Sequence, residues 1–84
     1  MDKIQAKKII NNEKLTGYNF FENRVNKENE VVIEENHGKW LVYVTSERAG
    51  KITNSVDEYN TESDALEDFI ERLRADKILR DLEI

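Results

Sequence analysis

The stretch KWLVYVTSE, residues 39–47, holds the longest apolar run of the chain. Side chains along a strand alternate between two faces, so Trp40, Leu41, Val42, Tyr43 and Val44 make this segment apolar on both sides. That is the pattern of a strand in mid-sheet, covered wholly or partly on each face. Immediately before it, Asn36-His37-Gly38 reads as a tight hairpin turn in which Gly38 supplies positive φ. The preceding EVVIEE, residues 30–35, is a strand with Val31 and Ile33 on one face. Further back, YNFFENRV, residues 18–25, is aromatic-rich and predicts a first strand, with Phe21 and Val25 on one face and Tyr18 and Phe20 on the other. Asn26-Lys27-Glu28-Asn29 makes the turn between these two strands. After the central strand, Arg48-Ala49-Gly50 turns the chain into a weaker strand from Lys51 to about Glu58. Its only apolar residues are Ile52 and Val56, and its polar character suits a sheet edge.

Helices flank these strands. Asp2 to about Asn12 carries Ala6, Ile9 and Ile10 among lysines and predicts a short helix stopped by Asn11, Asn12 and Gly17. At the other end Thr61 can cap a helix while Asp64 reaches back. Leu66, Phe69, Ile70 and Leu73 fall at i, i+3, i+4 and i+7, the stripe of a helix lying on a sheet. The expected fold is α+β: a four-stranded antiparallel meander between an N-terminal and a C-terminal helix (α-β-β-β-β-α), with both helices on one face. Residues 1–84 form a single domain.

Composition narrows the function. A chain of 84 residues buries roughly 60–70% of its unfolded surface, leaving few residues to line a deep substrate cavity. There is no cysteine, which removes disulfides, thiolate nucleophiles and Cys-based zinc sites. His37 is the only histidine, so a His general base or a two-His metal site lacks its second member. No serine motif, P-loop or dinucleotide fingerprint occurs. No catalytic residue, metal site or cofactor is therefore expected. Asp57-Glu58-Tyr59-Asn60-Thr61-Glu62 lacks the spacing and glycine of a calcium loop. Charges at positions 2, 3, 7 and 8 interrupt any signal-peptide core. No stretch approaches the roughly 18 apolar residues of a membrane helix. A cytoplasmic protein with no membrane partner is expected.

The net charge is −5, which disfavours nucleic-acid binding, where lysine and arginine must neutralise phosphates. Asp57, Glu58, Glu62, Asp64, Glu67, Asp68 and Glu71 occur in a window without Lys or Arg, followed by Arg72, Arg74, Lys77 and Arg80. Helix electrostatics explains the order of these charges, and Asp68 can pair with Arg72. It does not explain their density, since Asp64/Asp68 and Glu67/Glu71 are repulsive i,i+4 pairs. An acidic surface of this kind steers association with a basic partner. The candidate partner-binding residues are these seven acids with Tyr59, either as an interface anchor or as a core residue at the strand–helix junction.

Beyond Leu73 the apolar phase changes, and Ile78, Leu79 and Leu82 project roughly opposite Leu66 and Phe69. The expectation is a bent tail, broken near Ala75-Asp76-Lys77 and folded back onto the core. The alternative is a dimer or partner contact through Ile78, Leu79 and Leu82.

FFENRVNKENEVVIE (20–34), KWLVYVTSERAG (39–50) and ESDALEDFIERLRADKILR (62–80) resemble the immunity protein fifty-nine family of bacterial polymorphic-toxin systems. The likeness rests on a Trp-x-Val-Tyr strand running into Thr-x-Glu-Arg, then a Glu-x-Asp-Ala-Leu helix start, and it spans almost the whole chain. It implies a bacterial, cytosolic protein that binds and neutralises a cognate toxin. It assigns no binding residues. A toxin that is a nuclease with a basic active site would suit the acidic surface. Two other readings are compatible with the residues: an acidic nucleic-acid mimic acting on another nuclease or DNA-binding protein, and a small homodimeric adaptor. Monomer and homodimer are both open at this point.

Overall fold

The computed structural model describes residues 1–82. The order of elements is α1 (Lys3–Glu13), β1 (Tyr18–Phe20), β2 (Val31–Asn36), β3 (Lys39–Val44), a 3-10 turn (Thr53–Ser55), β4 (Asp57–Tyr59) and α2 (Glu62–Leu82). The strands form one sheet in the order β1-β2-β3-β4. The α+β class is as expected, and β3 lies inside the sheet with β4 at its edge.

The antiparallel meander is corrected at its first strand, because β1 runs parallel to β2, with Tyr18 opposite Val31 and Phe20 opposite Ile33. The predicted strand over 18–25 stops at Phe20, where Phe21 takes φ 57°. Residues 21–30 then double back instead of making a tight turn. The Asn19 side chain accepts the Glu22 amide at 2.8 Å. Arg24 grips both Glu30 oxygens at 3.0 Å and the Tyr18 carbonyl at 3.2 Å. The chain is thus returned to the level of Tyr18, where the Val31 amide bonds to the Gly17 carbonyl at 2.9 Å. Two strands that enter a sheet from the same end are parallel. Val25, expected on a strand face, lies on this loop and is 89% exposed.

β2 and β3 are antiparallel through the two-residue turn His37-Gly38. Both turn residues have positive φ, 54° and 78°, the geometry that matches the twist of the strands it joins. The expected strand over 51–58 is shorter. Lys51 makes one isolated bridge to Thr45, and regular pairing resumes only at Asp57–Tyr59. Between them the Ser55 hydroxyl accepts the Val44 amide at 3.0 Å and donates to the Ile52 carbonyl at 2.6 Å. A side chain there does the work of a ladder bond.

The pairing register places Tyr18, Phe20, Val31, Ile33, Trp40, Val42, Val44 and Tyr59 on one face of the sheet. All of them join the core with Ala6 and Ile10 of α1 and Ala65, Leu66, Phe69, Ile70 and Leu73 of α2. Both helices therefore cover the same face. Phe69 sits at its centre, edge-on to Tyr18 at 6.2 Å and tilted against Phe20 at 5.8 Å. The opposite face carries Asn19, Val32 and Tyr43, all buried. Its cover is the return loop, where Asn19 donates to Asn26 at 3.0 Å and Asn26 donates to the Tyr43 hydroxyl at 2.9 Å.

Both helix starts are capped by side chains. Asp2 and Gln5 form a reciprocal capping box on α1, and Thr61 accepts the Asp64 amide at 3.2 Å. At its far end α1 closes on Lys14 in the left-handed region, φ 55°.

The bent tail does not form. α2 continues unbroken to Leu82, leaving Ile78, Leu79 and Leu82 60%, 61% and 75% exposed. The inward face of these last turns is basic rather than apolar, and its cations dock on the end of α1. Arg74 pairs with Glu13 at 2.7 Å, Lys77 donates to the Glu13 carbonyl at 2.8 Å, and Arg80 donates to Thr16 at 3.0 Å. These contacts also satisfy a helix-terminal carbonyl. Among the described residues no helix is long and apolar enough to cross a membrane.

Candidate partner-binding surface

Six of the seven acids singled out by sequence divide into three groups, and Glu58 stands outside them. Asp57 and Tyr59 point from β4 toward α2, while Glu58 between them points to the opposite face of the sheet. From α2, Arg72 reaches across to Asp57 at 2.7 Å, to both oxygens of Asp68 at 3.0 and 3.1 Å, and to the Ser55 carbonyl at 2.8 Å. The Tyr59 hydroxyl donates to Asp68 at 2.6 Å, and its half-buried ring packs against the core. Tyr59 thus occupies the strand–helix junction. Burial raises its pKa first. The bond to Asp68 and the charges of Asp68 and Asp57 raise it further, to about 12. Asp57, Tyr59, Asp68 and Arg72 form a seam fastening the edge strand to the helix.

Glu62 stands apart at the start of α2, with Lys3 of α1 at 3.7 Å. The third group is Asp64, Glu67 and Glu71, which α2 turns outward. At about 100° per residue they lie on the helix side away from Leu66, Phe69 and Leu73, and all three are exposed. Glu71 has a surface partner in Arg74 at 3.0 Å. Among the described residues no ion pair reaches Asp64 or Glu67.

The same outward line continues through Ala75 to Ile78 and Leu82, with Leu79 beside it. Glu71, Ala75, Ile78 and Leu82 follow one another at alternating steps of four and three, so they share a helix face. One side of α2 is thus acidic over its first half and apolar over its second. Three large apolar side chains, Ile78, Leu79 and Leu82, are thus exposed together on a short segment.

A further concavity was not legible in the acidic window. It lies where the helices begin and β1 ends, has a volume of about 360 Å³, and is lined by Lys3, Phe21, Glu22, Glu35, Trp40 and Glu62 among others. Of these only Glu62 stood out by sequence. The Glu35–Trp40 pair follows from the two-residue hairpin, which places them opposite one another. Phe21 and Lys3 arrive through tertiary contact, with the Lys3 ammonium 4.1 Å from the Phe21 ring centroid.

Among the described residues no three His, Asp or Glu side chains are placed to hold a metal ion. No buried side-chain nitrogen or oxygen among them lacks a hydrogen-bond partner. The one deeply buried carboxylate among the described residues, Glu30, is tied to the return loop. Burial raises its pKa, and the bonds from Arg24 and from the Lys27 amide at 2.7 Å more than offset this, holding the carboxyl below its usual range. Its role is structural.

No curated protein and no solved structure matches this chain. The family model of immunity protein 59 matches residues 3–83, and the chain, as its strand and helix motifs imply, belongs to that family.

Proposed function

We propose that this protein neutralises a cognate toxin by direct contact, using the outward face of α2. The family supplies the general role of immunity, which implies a toxin as partner. The observation that supports this surface is the joining of exposed Asp64, Glu67 and Glu71 to exposed Ile78, Leu79 and Leu82 on one helix side. Acids draw a basic partner in and set its orientation, while desolvated apolar side chains hold it. Asp57, Tyr59 and Asp68 support the site from below by fixing α2 on the sheet. The partner would carry a basic rim beside an apolar groove, as a nuclease with a cationic active site can.

Charge layout favours this over self-association. Paired antiparallel along its full length, α2 would set the acids of one copy against Ile78 and Leu82 of the other with no cation facing them. Paired parallel, it would set acids against acids. Either arrangement desolvates carboxylates without compensation.

Co-expression with the toxin encoded beside it is the direct test. The toxin is expected to co-purify and to lose its lethality. A toxin that still kills and does not co-purify refutes the assignment.

A further inference from the structure

The cavity at the start of the two helices has a chemistry that the outward face of α2 lacks, because it combines aromatic walls with carboxylates. We infer that it is a socket for an arginine side chain presented by the protein partner. A guanidinium stacks on aromatic faces and forks onto carboxylates at the same time, which an ammonium does less well. Phe21 and Trp40 supply the rings, and Glu22, Glu34, Glu35 and Glu62 supply the charge. Glu35 has no ion-pair partner among the described residues. Glu22 is shared with Arg24 at 3.3 Å.

The molecule already places a cation there. The Lys3 ammonium rests 4.1 Å from the Phe21 centroid and 3.7 Å from Glu62, on a side chain that is half exposed. Four glutamates, Glu22, Glu34, Glu35 and Glu62, line the cavity against this single ammonium, so its presence leaves the cavity acidic and still attractive to a cation. Lys3 sits on a flexible stem at the rim and can swing into solvent when a better-fitting group enters. It is a place-holder, not a permanent ligand. The volume of about 360 Å³ accommodates a guanidinium with its methylene stem.

The cavity is separate from the surface proposed above: Glu62 lines it, while Asp64, two residues on, lies about 200° round the helix. The inference rests on the reading that the chain acts by binding a protein. Its test uses a short peptide, so failure here is distinct from failure of toxin binding.

Trp40 is the only tryptophan and reports directly on the cavity. Its fluorescence is followed while acetyl-Gly-Arg-Gly-amide is added at low ionic strength, with acetyl-Gly-Gln-Gly-amide as the control. A saturable change is expected with the arginine peptide alone, weakening as salt is raised. Lys3→Ala, at an exposed helical position, removes the competing cation and is expected to tighten binding by about 2- to 5-fold. Glu35→Gln is expected to weaken it by a similar factor. The inference is overturned by no saturable change in both the native protein and Lys3→Ala, by an equal response to the glutamine peptide, or by Lys3→Ala binding no tighter than the native chain.

Discussion

Tyr59 was open to two readings because an aromatic residue beside a run of acids looks alike whether it faces a partner or a core. Its neighbours in space distinguish them: the hydroxyl is held by Asp68, which Arg72 holds in turn. With a pKa near 10 when unfolded and about 12 when folded, Tyr59 keeps its proton longer in the native state. The stability this contributes is complete below pH 10 and is lost as pH rises through 12. Wild-type stability is expected to fall more steeply over that window than that of Tyr59→Phe, as measured by urea unfolding at a series of pH values. Glu30 behaves in the opposite sense. Its pKa is depressed, so its contribution is present above the unfolded value and is lost as pH falls through the folded one. Glu30→Ala strands Arg24 and the Lys27 amide. It is expected to cost about 2–3 kcal/mol in denaturant unfolding at pH 7.

Among the elements, α2 does two jobs along its length. Its first half is held by apolar burial, and Phe69→Ala is expected to cost about 3–5 kcal/mol. Its second half runs beyond the apolar core and is held by Arg74, Lys77 and Arg80 against the end of α1. Leu82 stands clear of that docking, and Ile78, largely exposed, only borders the groove beside it. The double substitution Ile78→Glu/Leu82→Glu is expected to shift unfolding by no more than about 0.5 kcal/mol per site while weakening toxin capture in a pull-down. A loss of folding in circular dichroism would return these residues to the core. The sequence stripe at 66, 69, 70 and 73 was enough to seat the helix, because helical spacing alone selects the buried side. The fate of the later stripe was not legible, since it depends on Glu13 and Thr16, some sixty residues away.

At the scale of the whole molecule, the outward side of α2 presents an acidic surface over its first half. Asp64→Lys/Glu67→Lys/Glu71→Lys is expected to slow association with a basic toxin by about 10-fold or more at low salt, an effect that fades as salt screens it. Stopped-flow mixing reads this directly, and an unchanged rate would remove the acids from the contact. By itself the sequence determined the features that short-range physics controls. Two-sided apolarity placed β3 inside the sheet, Gly38 with its tolerance of positive φ marked the hairpin turn, and the 3.6-residue period chose the buried face of α2. It also excluded thiol chemistry by leaving out cysteine. Only the tertiary structure decided that β1 runs parallel to β2, that Asp57 joins Asp68 on Arg72, and that α2 runs on past the core. Each of these depends on which partners the folded chain brings to a side chain. Arg24 can turn the chain back only because Glu30 is there to receive it, and neither residue type nor spacing along the chain encodes that meeting.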